Sequence, residues 1–223
     1  MEGTGAIEKS AVQVHDLLRL CPKNGDLFDR PLPLWAQRFL RETPWVVVRR
    51  GERSQGIPVG IRGGSKQQRF GCVLRQERLD GIAEVKKPDQ ILAEALTDQT
   101  SKRGEEPGIW EKRLGMLKPL MHQPYYGREV ESIGLGGSIG FELASGRKVS
   151  SPDSDLDLII TISPGCDKAL CRRICAYLET LPVAADAVLV TRRGWTSLRE
   201  YAGTDGPVLM KTMDGCILTK TLW

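Results

Sequence analysis

Histidine is scarce in this sequence, and the cysteines are not spaced as metal ligands. The 223 residues include two histidines, and neither has a cysteine or a second histidine at the spacing of a zinc site. The six cysteines contain no pair separated by two residues. Disulfides belong mainly to exported proteins, and the chain shows no export signal. We therefore expect reduced thiols and no structural zinc.

Long apolar runs and a strong charge of one sign are also lacking. No stretch approaches the roughly 18 apolar residues of a spanning helix, and the opening MEGTGAIEKS lacks the apolar core of a secretion signal. The 32 basic residues exceed the 28 acidic ones too slightly to indicate nucleic-acid binding. We therefore expect a cytoplasmic protein whose partners include neither a membrane nor a nucleic acid.

The hydrophobic pattern divides the chain near residue 87. Before that point, a helical pattern in PLWAQRFLRE is followed by three strand-like runs, WVVVRR, IPVGIRG and QRFGCVL. After it, helical and strand-like segments alternate. The sequence therefore predicts an α+β protein. We expect a small N-terminal α+β domain with an antiparallel sheet over residues 10–86 and a C-terminal domain with a mixed sheet and flanking helices over residues 87–223.

The C-terminal half has a more detailed pattern. Strands are predicted over ESIGL, DLDLIITI, VAADAVLVT, PVLMKTM and CILTKTL, a helix over residues 168–181, and a short helical segment over WTSLREYAG. Upstream, Pro119 should end or kink the helix WEKRLGMLKPLM. The polar segment 97–108 is interpreted as a loop.

Two aspartates occur in one of these apolar strands. Because successive side chains of a strand point to opposite faces, Asp155 and Asp157 should share one face while Leu156 and Leu158 enter the core. Two carboxylates about 5 Å apart repel by roughly 3 kcal/mol at an effective dielectric constant of about 20. A divalent cation would offset this repulsion, and Mg²⁺, or Mn²⁺, suits a pair of oxygen ligands.

A glycine-rich turn that ends in Ser138 precedes the aspartates. Without Cβ atoms, the N–H groups of Gly136 and Gly137 can approach phosphate oxygens, and the start of the following helix adds its positive end. The dinucleotide motif is excluded because Ile139 replaces its third glycine, and a calcium loop is excluded because Leu158 replaces its glycine. For either motif alone, a simple turn or a solvated edge is the better interpretation. Together they predict that Gly136, Gly137 and Ser138 bind phosphates beside a metal.

The order of glycine–serine turn, short helix and Asp-x-Asp strand resembles the nucleotidyltransferase superfamily of the polymerase-β type. The resemblance implies a nucleotidyltransferase-type mixed sheet and a third carboxylate on a later strand, for which Asp186 is the candidate. The implied catalytic and metal-binding residues are Asp155, Asp157 and Asp186. Val188 stands on the face of Asp186 where a polar residue would be expected.

A narrower resemblance extends from about His15 to about Thr212. The segments GGSIGFELASG, SDLDL and PVLMKT, with HDLLRL, PWVVVRR and IPVGIRGGSKQQRF, are similar to the phosphoribosyl-dephospho-CoA transferases that are the holo-acyl-carrier-protein synthases of malonate decarboxylase. Such enzymes transfer the 2'-(5''-triphosphoribosyl)-3'-dephospho-CoA group onto a serine of a carrier protein and release pyrophosphate. The resemblance implies two partners, triphosphoribosyl-dephospho-CoA and the acyl carrier protein subunit of malonate decarboxylase.

Two other functions fit the same residues. A nucleotidyltransferase of this type could use ATP or another NTP on a different acceptor. A non-catalytic module could bind a carrier protein and keep the aspartates as surface charge.

Basic residues are concentrated in the strand-like runs of the N-terminal half. They are Arg49, Arg50, Arg53, Arg62, Lys66 and Arg69. Carrier proteins are generally acidic, so we expect this face to dock the carrier or to bind a phosphate of the donor. A solvated basic face is the alternative.

Overall fold

The computed structural model describes residues 12–21, 26–65, 67–101 and 109–223. The chain divides into two compact units, Met1–Lys87 and Pro88–Trp223, called here the N-terminal and C-terminal units. Each unit is built around one sheet accompanied by helices, which confirms the predicted α+β class. Residues 97–101 of the predicted loop are helical, so that part of the prediction was wrong. Residues 102–108 of the predicted loop, and Lys66 of the basic face, lie outside the described residues.

The N-terminal unit contains a five-stranded sheet in which all neighbouring strands are antiparallel, as predicted. In the order β4-β3-β2-β1-β5, its strands are β1 (Leu17–Leu20), β2 (Trp45–Val48), β3 (Gly56–Arg62), β4 (Arg69–Arg75) and β5 (Ile82–Lys86). Helix α1 spans Leu34–Glu42, and a short 3-10 helix, Gln76–Gly81, connects β4 to β5. Strands β1 and β5 were not predicted as strands, because four or five residues are too few to show a clear alternation.

The C-terminal unit contains a six-stranded mixed sheet. In the order β11-β10-β9-β8-β7-β6, its strands are β6 (Val130–Leu135), β7 (Leu156–Ile162), β8 (Ala185–Val190), β9 (Trp195–Ser197), β10 (Val208–Lys211) and β11 (Cys216–Thr219). Strands β7 and β8 are parallel, and every other neighbouring pair is antiparallel. The predicted mixed sheet is therefore confirmed.

Six helices accompany this sheet within the described ranges. They are α2 (Pro88–Ser101), α3 (Ile109–Gly115), α4 (Lys118–Met121), α5 (Gly137–Ser145), α6 (Lys168–Glu179) and α7 (Leu198–Gly203). The predicted interruption near Pro119 is observed, since α3 ends at Gly115 and Pro119 lies in the first turn of the separate helix α4. Among the described residues, no helix combines the length and apolar character needed to cross a membrane.

One predicted segment folds differently. WTSLREYAG was predicted as helical throughout, but Trp195–Ser197 forms strand β9, and α7 begins only at Leu198. Strand β9 pairs with β8 on one side and β10 on the other, so tertiary pairing overrides the local helical pattern. Ser197 then caps the helix, its hydroxyl accepting a hydrogen bond from Glu200 N at 3.4 Å.

Helix α6 is the crossover that places β8 beside β7. Its N-cap Asp167 accepts a hydrogen bond from Leu170 N at 2.7 Å. Its buried stripe contains Leu170, Ile174 and Leu178, as predicted. Strands β7 and β8 are parallel, which such a crossover makes possible. Both strands therefore begin at the same end of the sheet. Residues at the starts of these two strands are therefore brought together.

All six cysteines are free thiols, as expected from their spacing. Cys166 and Cys171 are buried with their sulfur atoms 3.7 Å apart, which is hydrogen-bond distance for a thiol pair. Burial raises the pKa of Cys72 to about 12. Cys72, Cys166 and Cys171 are therefore core residues, whereas Cys175 is half-buried.

Close packing at Gly140 generates the first prediction. A Cβ built there would lie 2.6 Å from Leu135 O, closer than real Cβ contacts. We expect Gly140→Ala to lower the free energy of unfolding by about 1–3 kcal/mol, the usual cost of overpacking. The measurement is denaturant unfolding at neutral pH. Gly203→Ala is the control, because a Cβ there meets nothing within 4 Å. An equal loss in both variants would contradict this packing explanation.

Candidate active site

Two of the predicted carboxylates are neighbours in the C-terminal sheet. The register of β7 and β8 pairs Asp157 directly with Asp186. Paired residues of neighbouring strands point to the same face, and the strands lie about 4.8 Å apart. On the opposite face, Leu156 and Leu158 are buried, as the alternation predicted. The fold therefore places both carboxylates on the face that points away from this core.

Asp155 lies at the entrance of the same strand. Strand β7 begins at Leu156, whose N–H donates to Ala184 O at 2.8 Å, so Asp155 precedes the paired region by one residue. The prediction placed Asp155 inside the strand, and this placement was wrong by one residue. Asp155 is exposed, whereas Asp157 is half-buried. The orientation of the Asp155 side chain therefore depends on the preceding loop as well as on the pleat of the strand.

The glycine turn lies directly against Asp157. Gly136 N donates to Asp157 O at 2.8 Å, which continues the pairing of β6 with β7 up to the start of α5. Gly137 has φ of 58°, and a Cβ built on it would overlap the carboxylate of Asp157. Glycine is thus required twice, by its backbone conformation and by the space that Asp157 occupies. The predicted phosphate-binding turn and the predicted metal ligand are in contact.

The turn ends in the open N-terminus of α5. Gly136 is the N-cap and has no side chain of its own with which to cap the helix. The first N–H groups of a helix lack intrahelical acceptors, and the helix dipole makes this end positive. Gly137 and Ser138 lie in this first turn, with Ser138 half-buried. The arrangement can bind an anion such as a phosphate beside the carboxylates.

Glu142 fixes the loop that leads from α5 to Asp155. One of its carboxylate oxygens accepts hydrogen bonds from Val149 N at 2.9 Å, Ser150 N at 2.8 Å and Ser150 Oγ at 2.6 Å. Burial alone would raise the pKa of Glu142, but the hydrogen bonds from Ser150 and Val149 hold this pKa below its ordinary value. The loop is therefore tied to the same helix that carries the glycine turn.

Helix α3 also holds the loop that precedes Asp155. Arg113 donates to Pro152 O at 2.8 Å, and its guanidinium lies 4.8 Å from the ring centre of Trp110. Neither Arg113 nor Glu142 was predicted to support the site. Both lie in helical patterns without any local sign of a partner, although the serines at 150, 151 and 154 indicated a hydrogen-bonded loop.

The arrangement of the carboxylates bears on the predicted metal site, which stays a prediction. Among the described residues, no three His, Cys, Asp or Glu side chains converge as a complete cluster for a metal ion. Magnesium is commonly held by one or two carboxylates together with phosphate oxygens. Asp157 and Asp186 can supply such a partial set beside the phosphate-binding turn, with Asp155 at its entrance. The residues therefore fit a cation that binds together with a polyphosphate.

Comparison with known proteins identifies the family. The family described as "Phosphoribosyl-dephospho-CoA transferase MdcG C-terminal domain" matches residues 99–221, and the corresponding N-terminal domain family matches residues 13–88. The chain belongs to the phosphoribosyl-dephospho-CoA transferase family. The family resemblance stated from sequence is thereby confirmed, and the protein is a transferase enzyme rather than a non-catalytic module. Placement in the wider polymerase-β-type superfamily stays a prediction.

The relatives are similar over most of their length. A phosphoribosyl-dephospho-CoA transferase of Pseudomonas putida strain W619 is 31% identical over 219 residues, which cover 96% of each chain. That of Pseudomonas fluorescens strain Pf0-1 is 33% identical over 86% of this chain and 85% of its own. That of Klebsiella pneumoniae strain 342 is 30% identical over 96% and 97%, respectively. No solved structure matches the chain significantly.

The basic residues of the N-terminal unit divide into two groups. Arg53 and Arg69 donate to backbone carbonyl oxygens of their own unit at 2.7 and 2.8 Å, and burial lowers the pKa of both side chains. The hydrogen bonds of these two arginines therefore stabilise their own unit. Arg49 and Arg50 are exposed, and the prediction that this face binds the carrier or a phosphate rests mainly on them.

The contact between turn and carboxylate generates a prediction at Gly137. An alanine there would displace Asp157, so we expect Gly137→Ala to lower the transferase rate at least about 100-fold. Gly146→Ala is the matched control, because Gly146 also has positive φ, 71°, but a Cβ there meets nothing within 4 Å. Steady-state rates, with circular dichroism as a check of folding, make the comparison. Similar losses in both variants would attribute the effect to backbone strain.

Glu142 generates a prediction about pH. Because its pKa is lowered in the folded protein, its contribution to stability is present above the ordinary pKa and is lost as the pH falls through the folded pKa. We expect Glu142→Gln to lower the free energy of unfolding by about 1–2 kcal/mol at pH 7. This difference should shrink on going to about pH 3.5. Denaturant unfolding of both proteins at the two pH values measures it, and a difference independent of pH would refute the role of the charge.

Proposed function

We propose that this enzyme transfers the phosphoribosyl-dephospho-CoA part of 2'-(5''-triphosphoribosyl)-3'-dephospho-CoA onto a serine of the acyl carrier protein subunit of malonate decarboxylase. The serine oxygen bonds to the phosphorus next to the ribose, the bond from that phosphorus to the outer two phosphates breaks, and pyrophosphate leaves. The observation that supports it is the position of the Gly137 turn against Asp157, with Asp186 paired beside it. An anion-binding turn next to a carboxylate pair suits attack on a polyphosphate. The names of the relatives supply the class of donor.

The glycine turn binds the leaving group. In this proposal, the N–H groups of the first turn of α5 and the hydroxyl of Ser138 donate hydrogen bonds to the departing pyrophosphate. These donors are fixed by the helix before the reaction, so they stabilise the negative charge that grows on the leaving oxygen without reorganisation. The serine hydroxyl of the carrier attacks from the opposite side, in line with the bond that breaks.

The carboxylates hold the cation. Mg²⁺ or Mn²⁺ bound by Asp155, Asp157 and Asp186 would neutralise charge on the phosphoryl oxygens and lower the pKa of the attacking hydroxyl. Asp157 lies against the Gly137 turn, whereas Asp186 is exposed one strand further from it. We assign Asp186 to metal binding near the nucleophile and not to proton removal, because a carboxylate beside a cation is a weak base.

Mass spectrometry tests this function. Wild-type protein, apo carrier, triphosphoribosyl-dephospho-CoA and magnesium should give a carrier that has gained the mass of the donor less pyrophosphate. Asp157→Asn should slow this transfer at least about 100-fold, because the cation loses a charged ligand. Asp153→Asn is the control, since Asp153 is exposed in the same loop and lies outside the predicted site.

Two outcomes would contradict the proposal. No gain of mass with a competent donor and wild-type protein would exclude the specific transfer. Equal activity of Asp157→Asn and Asp153→Asn would exclude the carboxylate site. Parallel reactions with ATP and the other NTPs test the alternative donors, and a nucleotidyl mass on any acceptor would favour that second function.

A further inference from the structure

The face that carries Asp157 and Asp186 continues along and across the sheet. Two residues further along the same two strands, Ile159 pairs with Val188. Val188 in turn pairs with Ser197 in β9. Since paired residues point to the same face and alternate residues of a strand share a face, these three side chains lie on the face of the carboxylates.

The next two strands extend this row to the edge of the sheet. Lys211 of β10 pairs with Trp195 of β9, which sets Leu209 opposite Ser197. Leu209 then pairs with Leu218 of the edge strand β11. One row of side chains therefore crosses five strands on the face of the candidate site, ending in two leucines. We call Ile159, Val188, Ser197, Leu209 and Leu218 the docking row.

The outer end of the docking row is exposed and apolar. Leu209 is 41% exposed and Leu218 is 74% exposed, although Val208 and Met210, the neighbours of Leu209 in β10, are buried on the opposite face. The adjacent residue on the same face, Lys211, is also exposed. No member of the docking row is itself a carboxylate, although Glu200 Oε1 accepts a hydrogen bond from Leu209 N at 2.9 Å. Exposed leucines beside a lysine suit an apolar contact with an acidic protein surface.

The distance from the outer end of the docking row to the candidate site matches the radius of a typical protein interface. Three strand spacings and two residues put Leu218 about 16 Å from Asp186. A typical interface covers about 800 Å² per partner, which corresponds to a patch of about 16 Å radius. A protein whose serine enters the candidate site must therefore also contact surface at about this distance. A small donor is held in a concave pocket, whereas these leucines lie on an edge hairpin.

We propose that the outer end of the docking row, Leu209 and Leu218 with Lys211 beside it, is the surface on which the acyl carrier protein docks while its serine enters the site. The inner end at Ile159 is buried and takes no part in this contact. The proposal rests on the proposed function, since it names the surface used by that acceptor. It also explains Val188, which stands where a polar residue was expected: an apolar residue there continues a protein-binding face. The proposal therefore expects a partner surface that is acidic and has apolar residues beside the modified serine.

A pair of variants on one strand tests the docking row. We expect Leu218→Asp to raise the KM for apo carrier at least about tenfold, because it places a carboxylate in an apolar contact with an acidic partner. The KM for the donor and the kcat at saturating carrier should not change. Ile217→Asp is the control: Ile217 is 40% exposed but pairs with Met210 on the opposite face, so its KM should stay that of wild type.

Direct binding separates the docking row from the reaction. Calorimetric titration of apo carrier, without donor, into wild-type protein and both variants should show weaker binding for Leu218→Asp alone. Binding that is weakened in this way without any transfer by wild-type protein would reject the proposed function and keep the docking row. Transfer by wild-type protein, with the same carrier KM for both variants, would reject the docking row and keep the proposed function.

A second variant covers the case in which Leu218→Asp is misfolded, which thermal unfolding would reveal. Lys211→Glu should also raise the carrier KM, and added salt should diminish the difference from wild type. An increase in the KM for the donor in either variant, with the carrier KM unchanged, would show that the row holds the donor and would overturn the proposal. No change in either KM would overturn it as well.

Discussion

The contact between the Gly137 backbone and the Asp157 carboxylate determines the geometry of the candidate site. It exists because Gly136 continues the pairing of β6 with β7 through its hydrogen bond to Asp157 O. Helix α5 then begins at Gly137, which has no side chain that would overlap the Asp157 carboxylate. The positive end of the helix is thus aimed beside a carboxylate. A pairing register shifted by one residue would turn Asp157 into the core and separate the two halves of the site.

The remaining parts of the site are held around this contact by long-range connections. The crossover through α6 brings Asp186 beside Asp157, although 29 positions separate them in the sequence. The loop before Asp155 is held from two helices, by Glu142 and by Arg113. The site is therefore assembled on the starts of two rigid strands, and its one exposed loop is tied down at both sides.

The two faces of the six-stranded sheet have different tasks. One face buries Leu156, Leu158, Leu189 and Met210 in the core of the unit. The other face carries the carboxylates at one end of β7 and β8. At the edge hairpin of β10 and β11, the same face carries the exposed Leu209 and Leu218. The start of α2 covers the second face at Gly134, whose partner Ile159 is buried, so this face is open only at the carboxylates and at the edge hairpin.

The sequence by itself determined the α+β class, the family, the inward direction of Leu156 and Leu158 and the buried stripe of α6. These are local patterns or family motifs, and the period of a strand or helix shows them within a few residues. The strand at Trp195–Ser197, the pairing of Asp157 with Asp186, the Glu142 and Arg113 anchors and the row ending at Leu218 were decided only by the tertiary structure. Each depends on which distant segments become neighbours, and no local period of side chains encodes strand order or crossover.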